Sequence, residues 1–133
     1  MRSIILAAAI CVLAPTLGWA ETATVSSGAK AQIALHSRFD GQCRAARVEI
    51  TVLKGAANGA VTWAPVDYVI PAQNRAGEKQ PAQCVGKTIK GVAVYYQSKS
   101  GFVGSDSFSY RRLNADKADD RFNAEVAYSV TVK

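Results

Sequence analysis

The chain is poor in the residues that most often carry chemistry. Its 133 residues include one histidine, His36, and three cysteines, Cys11, Cys43 and Cys84. No two cysteines stand at C-x-x-C spacing, and one histidine cannot complete a zinc set with two cysteines, which argues against thiol redox and structural zinc chemistry. A catalytic nucleophile needs a base beside it. Nothing in the sequence places a carboxylate to orient His36, so a surface or strand-packing histidine is expected. There is no Gly-rich phosphate loop, no pair of glutamates at glycosidase-like spacing and no metal-ligand cluster. These absences point away from an enzyme and imply no cofactor. Basic runs of five or more are also missing, as is the helical spacing of apolar residues.

The ends carry clearer signals. Arg2, the apolar stretch Ile4 to Leu13 and the small-residue approach Leu17-Gly18-Trp19-Ala20 read as a secretory signal peptide over residues 1–20, cut before Glu21. A retained anchor needs about 18 apolar residues, and Pro15 interrupts a shorter run, so the chain is not expected to span a membrane. Lipidation at Cys11 lacks the Leu and small-residue spacing it requires. The remaining 21–133 has the size of one domain, placed in the periplasm or outside the cell. Cys11 leaves with the signal, and the economical reading of Cys43 and Cys84 is one disulfide. Its closed loop should stabilise the fold by roughly 4 kcal/mol on the chain-entropy model. Sixteen Lys and Arg face ten Asp and Glu, a net charge of +6. That balance favours acidic partners such as anionic envelope polymers or lipid headgroups. The basic residues are spread along the chain, as on an ordinary solvated surface.

Period-two alternation recurs where helical spacing is absent. Val48, Ile50 and Val52 alternate with polar neighbours, and Val92, Val94 and Tyr96 repeat the pattern. Phe108 and Tyr110 follow, and Val126, Tyr128, Val130 and Val132 close the chain. Ile33 and Leu35 mark an earlier strand, and Val61, Trp63, Tyr68 and Ile70 suggest a pair broken around Pro65. Asn58-Gly59 reads as a hairpin turn with positive φ. Pro71 to Gln83 reads as an exposed connection, and Asn114 to Asp120 as a hairpin loop between the last strands. Six or seven short strands with Gly and Pro turns predict an antiparallel two-sheet β-sandwich, with a closed barrel as the alternative.

The stretch "GFVGSDSFSY", preceded by "GVAVYY" and followed by "AEVAYSVTV", resembles bacterial immunoglobulin-like and cadherin-like domains. Ala57-Asn58-Gly59-Ala60-Val61 looks like the turn that opens the middle of those domains. The resemblance covers about the last two-thirds of residues 21–133 and implies an immunoglobulin-like sandwich of about seven strands. Each residue of the motif has a structural assignment. Gly101 and Gly104 supply backbone freedom in a turn. Asp106, placed just before the strand, accepts N–H bonds of its own turn. Phe108 and Tyr110 point inward, while Ser107, Ser109 and Arg111 face out. Tyr110 takes the place of a tyrosine corner, its hydroxyl bonded to main chain upstream. Cadherin-like repeats often bind calcium, which makes Asp106 a weak candidate ligand; a calcium site needs six to eight oxygens, and Asp116, Asp119 and Asp120 fall on another loop. Arg112 stands where an immunoglobulin has its second cysteine. The Cys43–Cys84 bridge is therefore expected to fasten loops or strand starts at one end, with Trp63 free to pack centrally.

Surface recognition remains as the expected function. The leading reading is a small exported binding or adhesion module of the bacterial envelope, acting through loops or a sheet edge. Its candidate contacts are Arg111, Arg112, Lys117 and Arg121, in or beside the loop Leu113 to Arg121. The expected partner is an envelope or host-surface protein, a glycan or an anionic polymer. Nucleic acid is not expected, because Tyr95, Tyr96 and the arginine pair suggest it only through charge. The alternatives are an accessory envelope protein that pairs strands with another protein, a calcium-binding domain, and a hydrolase inhibitor.

Overall fold

The computed structural model describes residues 20–133, so the expected signal peptide, Ala20 apart, lies outside the described residues. The seven strands are β1 (Glu21–Val25), β2 (Lys30–His36), β3 (Val48–Lys54), β4 (Gly59–Val69), β5 (Thr88–Ser98), β6 (Gly104–Asn114) and β7 (Ala124–Val132). They form a four-stranded sheet in the order β1-β7-β6-β3 and a three-stranded sheet in the order β2-β5-β4. The protein is an all-β, immunoglobulin-like sandwich with one disulfide. The pairings are antiparallel except β1 with β7, which is parallel. In constant-type immunoglobulin domains the first strand lies beside the second; here β1 lies instead on the sheet of β3, β6 and β7.

Alternation places the core. Phe108 and Tyr110 on β6, Tyr128 on β7 and Tyr96 on β5 are buried between the sheets. Their rings form a near-parallel stack, with Phe108 5.9 Å from Tyr96 and 5.4 Å from Tyr128. Full burial of each large apolar side chain contributes about 1.5–3 kcal/mol, which makes this column the main anchor between the sheets. A second buried cluster joins Cys43, Cys84, Ile70 and Ile89, with Phe39 and Tyr68 packed against it. The Cys43–Cys84 disulfide sits there, with Cα atoms 5.3 Å apart. It ties the β2–β3 connection to the β4–β5 connection at one end, as the position of the cysteines predicted. Residues 71–83 form a mostly exposed connection, folded back on itself by a bridge between Gln73 and Lys79.

Several local expectations change. The strand containing Pro65 is continuous, because β4 is the outer strand of its sheet and a residue without an N–H is tolerated on an edge. Asn58-Gly59 makes no hairpin: β3 and β4 belong to different sheets, and neither residue has positive φ. Gly59 is required by close approach, since a Cβ there would lie 2.7 Å from the Gln97 carbonyl and 2.8 Å from the Tyr96 ring. Gly101 and Gly104 do adopt positive φ, 81° and 141°. Trp63 pairs with Val94 on β5 but remains 45% exposed at the sheet edge, not central. Ser109, expected outside, is buried.

Candidate functional site

The site begins with a β-bulge. The register of β2 against β5 shifts between Gln32 and Ala34, leaving Ile33 out of the ladder. A bulge flips the alternation beyond it, so Ala34 and His36 fall opposite Val94 and Val92 and turn inward. The carbonyl of Ile33 accepts a hydrogen bond from the Tyr128 hydroxyl, 3.1 Å. The main-chain acceptor displaced by the bulge thus has a partner from the opposite sheet.

His36 is buried against β6. Its Nε2 lies 2.6 Å from the Tyr110 hydroxyl and its Nδ1 3.3 Å from Nη1 of Arg112. Arginine only donates, so Nδ1 accepts and the ring proton sits on Nε2, which donates to Tyr110. Arg112 also donates through Nε to the Phe122 carbonyl at 2.8 Å and stacks over the Phe122 ring. Burial, with Arg112 and then Arg75 adding positive charge nearby, lowers the His36 pKa to about 4. The imidazole is therefore neutral at pH 7, with both nitrogens engaged. Tyr110 does not form the expected corner, because its hydroxyl meets His36 and not upstream main chain.

His36, Arg112 and Phe122 line a cleft of about 730 Å³. Its walls include the last three residues of β2, Ala34–His36, with Ser37 just beyond, and five of β7, Ala124–Tyr128. Both walls are strand edges. β2 ends its sheet, and β1 covers β7 only from Tyr128 to Val132. The β1-side edge of Ala124–Ala127 has no strand partner among the described residues. Arg38, Arg75 and Arg112 line the cleft, with Glu21 and Asp40 as its acids. Arg38 is held by Asp120, and Asp40 by Arg44. Glu125 is a third lining acid and, by register, has the outward parity of Arg111, its partner on β6.

The structure separates the four basic residues expected to act together. Arg112 has the inward parity of Phe108 and Tyr110 and lies in the cleft. Arg111 faces outward, and Lys117 and Arg121 are exposed on the β6–β7 loop. That loop is bonded to itself and to its neighbours. Asp120 accepts from the Phe122 N–H, Asn114 and Arg38, which together hold its pKa down at about 2 against the opposing effect of burial. Asp116 accepts from the Arg47 N–H, and Asn123 donates to the Lys117 and Ala118 carbonyls.

Asp106 lies within β6, not before it, at the opposite end from this loop. Its carboxylate accepts from the N–H groups of Ala57 and Asn58 at 3.0 Å, from Ser107 N–H at 2.8 Å and from the Tyr96 hydroxyl at 2.8 Å. It therefore fastens the β3–β4 crossover more than its own turn. Those four bonds fill the acceptor capacity that calcium ligation would use. Among the described residues no group of three or more His, Cys, Asp or Glu is placed to hold a metal ion, and no helix is long and apolar enough to cross a membrane. Fold and cleft together define an immunoglobulin-like sandwich with a groove between two strand edges. No family model matches the chain, and no curated protein matches it by sequence.

Proposed function

We propose that this chain is a small exported, non-catalytic binding module of the bacterial envelope, related to immunoglobulin-like and cadherin-like domains, that takes its partner in the groove between β2 and β7. The observation that carries this reading is the juxtaposition of a strand edge, Ala124–Ala127, that is bare among the described residues, with a cleft containing Arg75 and Arg112. Bare edges offer unpaired main-chain donors and acceptors to a partner, and the arginines favour an acidic one. The β6–β7 loop is a weaker candidate, because two of its three acids and much of its main chain are engaged internally. A non-catalytic role accords with a histidine whose nitrogens are both bonded and which stays neutral at pH 7. The Cys43–Cys84 disulfide fits an oxidising compartment.

A second reading, an accessory envelope protein that pairs strands with another protein, is favoured by the same β7 edge. Passing solubilised envelope over the immobilised protein tests the main proposal. A retained protein, glycan or anionic polymer that is lost with Arg75→Gln supports it. Equal retention by the variant removes the groove from the account.

A further inference from the structure

Taking the groove as the binding site, as just proposed, we infer that its ligand is a short extended peptide with an acidic group at the end that meets Ala124. The peptide would add as a strand beside β7, in line with β1. Three independent features converge on this chemistry.

The first is length. β1 covers β7 from Tyr128 onward, so the exposed edge is the four residues Ala124–Ala127. Main-chain pairing there suits an extended segment of about that length, at roughly 3.3 Å per residue. The chain must then leave the sheet, because Glu21 occupies the next position opposite Tyr128. Long strands and flat polymer faces do not match this short site.

The second is alternation. Val126 and Tyr128 face inward on β7, and Ala34 faces inward on β2. A strand laid beside β7 turns every second side chain into the groove against these apolar groups and the other outward. The favoured ligand alternates small apolar and polar residues.

The third is charge placed at one end. Arg112 pairs with Ala124 across β6 and β7, at the start of the bare edge. Arg75, on the β4–β5 connection, lines the same cleft, is exposed and has no hydrogen-bond or ion-pair partner among the described residues. Arg112 touches His36 directly at 3.3 Å, and the charge of Arg75 acts on the same imidazole from its place in the lining. Arg112 is oriented by Phe122 and His36, and its Nη2 has no hydrogen-bond partner among the described residues. Two arginines, one held by neighbours and one exposed, suit a carboxylate. Glu21 is the opposing acid, and cleavage before it would set an α-ammonium beside that carboxylate.

The test uses the secreted protein labelled with ¹⁵N and two synthetic pentapeptides, Asp-Thr-Val-Thr-Val and Val-Thr-Val-Thr-Asp, one for each strand direction, in which Asp shares the inward parity of the valines. Binding of either, with amide shifts centred on Ala124–Ala127 and affinity roughly fivefold weaker for Arg75→Gln, supports the inference. N-methylation of alternate peptide amides should abolish the binding, since it removes strand pairing. Several results overturn it: no shifts with either peptide, shifts confined to the β6–β7 loop, undiminished binding after N-methylation, self-association through this edge, or saturation only by a peptide copied from residues 13–20. If the peptides fail while the protein still captures an envelope glycan in an Arg75-dependent way, the peptide inference falls and the broader binding reading stands.

Discussion

The His36 ring nitrogen Nε2 lies 2.6 Å from the Tyr110 hydroxyl, joining the last residue of β2 to the centre of β6 across the sandwich. His36 lines the groove, and donation from Arg112 to its Nδ1 fixes the tautomer in which Nε2 donates to Tyr110. Tyr110→Phe leaves the buried Nε2–H without an acceptor, which costs about 1–3 kcal/mol. Thermal unfolding should show a Tm lowered by roughly 4 °C or more per kcal/mol. An unchanged Tm contradicts the assigned bond.

The same histidine predicts the pH dependence of stability. Its pKa is lowered from 6.5 to about 4 in the folded protein, so between these values the unfolded chain binds the extra proton. Stability is therefore fully present above pH 6.5 and declines as pH falls toward 4, by no more than about 3 kcal/mol and less where the cleft admits water. Urea unfolding at pH 7 and pH 4.5 measures the difference, and His36→Gln should flatten it. A slope that persists in the variant assigns the effect to other groups. Asp120, with its pKa lowered from 3.8 to about 2, acts in a separate, more acidic window: its contribution is present above pH 3.8 and lost below.

Asp106 and Gly59 predict the strength of the opposite end. Asp106→Asn places an amide donor against a set of donors and should cost about 1.5–3 kcal/mol, typical of hydrogen bonds to a charged group. Gly59→Ala pushes a methyl into the Tyr96 ring and the Gln97 carbonyl and should cost about 1–3 kcal/mol. Gly41→Ala, where nothing lies within 4 Å, is the matched control and should be near neutral. Calcium should leave the Tm of the native protein unchanged; a rise that Asp106→Asn abolishes would contradict the structural role.

Reduction of Cys43–Cys84, bonded across 41 positions, should add two daltons to the mass and destabilise the fold by up to roughly 4 kcal/mol. The affected segments are the connections on either side of the second core cluster, where reduction should accelerate amide exchange at Ile70 and Ile89 before it does so at Phe108.

Much of the fold was legible because alternation and turn residues are local. Val48 to Val52, Val92 to Tyr96 and the closing strand appear where their apolar parity puts them, and cysteine counting supplied the bridge. What escaped is non-local. Pro65 looked like a strand break because edge position is decided by the partner sheet. Asn58-Gly59 looked like a hairpin because its sequence does not record that the chain crosses between sheets. Ile33 and Leu35 suggested one inward face; Ile33 does pack against the core, but the bulge there turns Ala34 and His36 inward in place of Leu35. Arg112 was the avoidable miss: continuing the parity of Phe108 and Tyr110 by one more step places it inside, away from Arg111. Arg75 carried no signal, since the role of a lone arginine in a polar connection depends on how that connection folds back.

Hydrogen–deuterium exchange of the protein, alone and with the ligand that the proposed capture experiment would retain, tests the binding account most directly. The account predicts slowed exchange at Ala124–Ala127, where the amides of a bare edge gain partners, with the 113–121 loop little changed. Protection confined to that loop, or absent from β7, would contradict it.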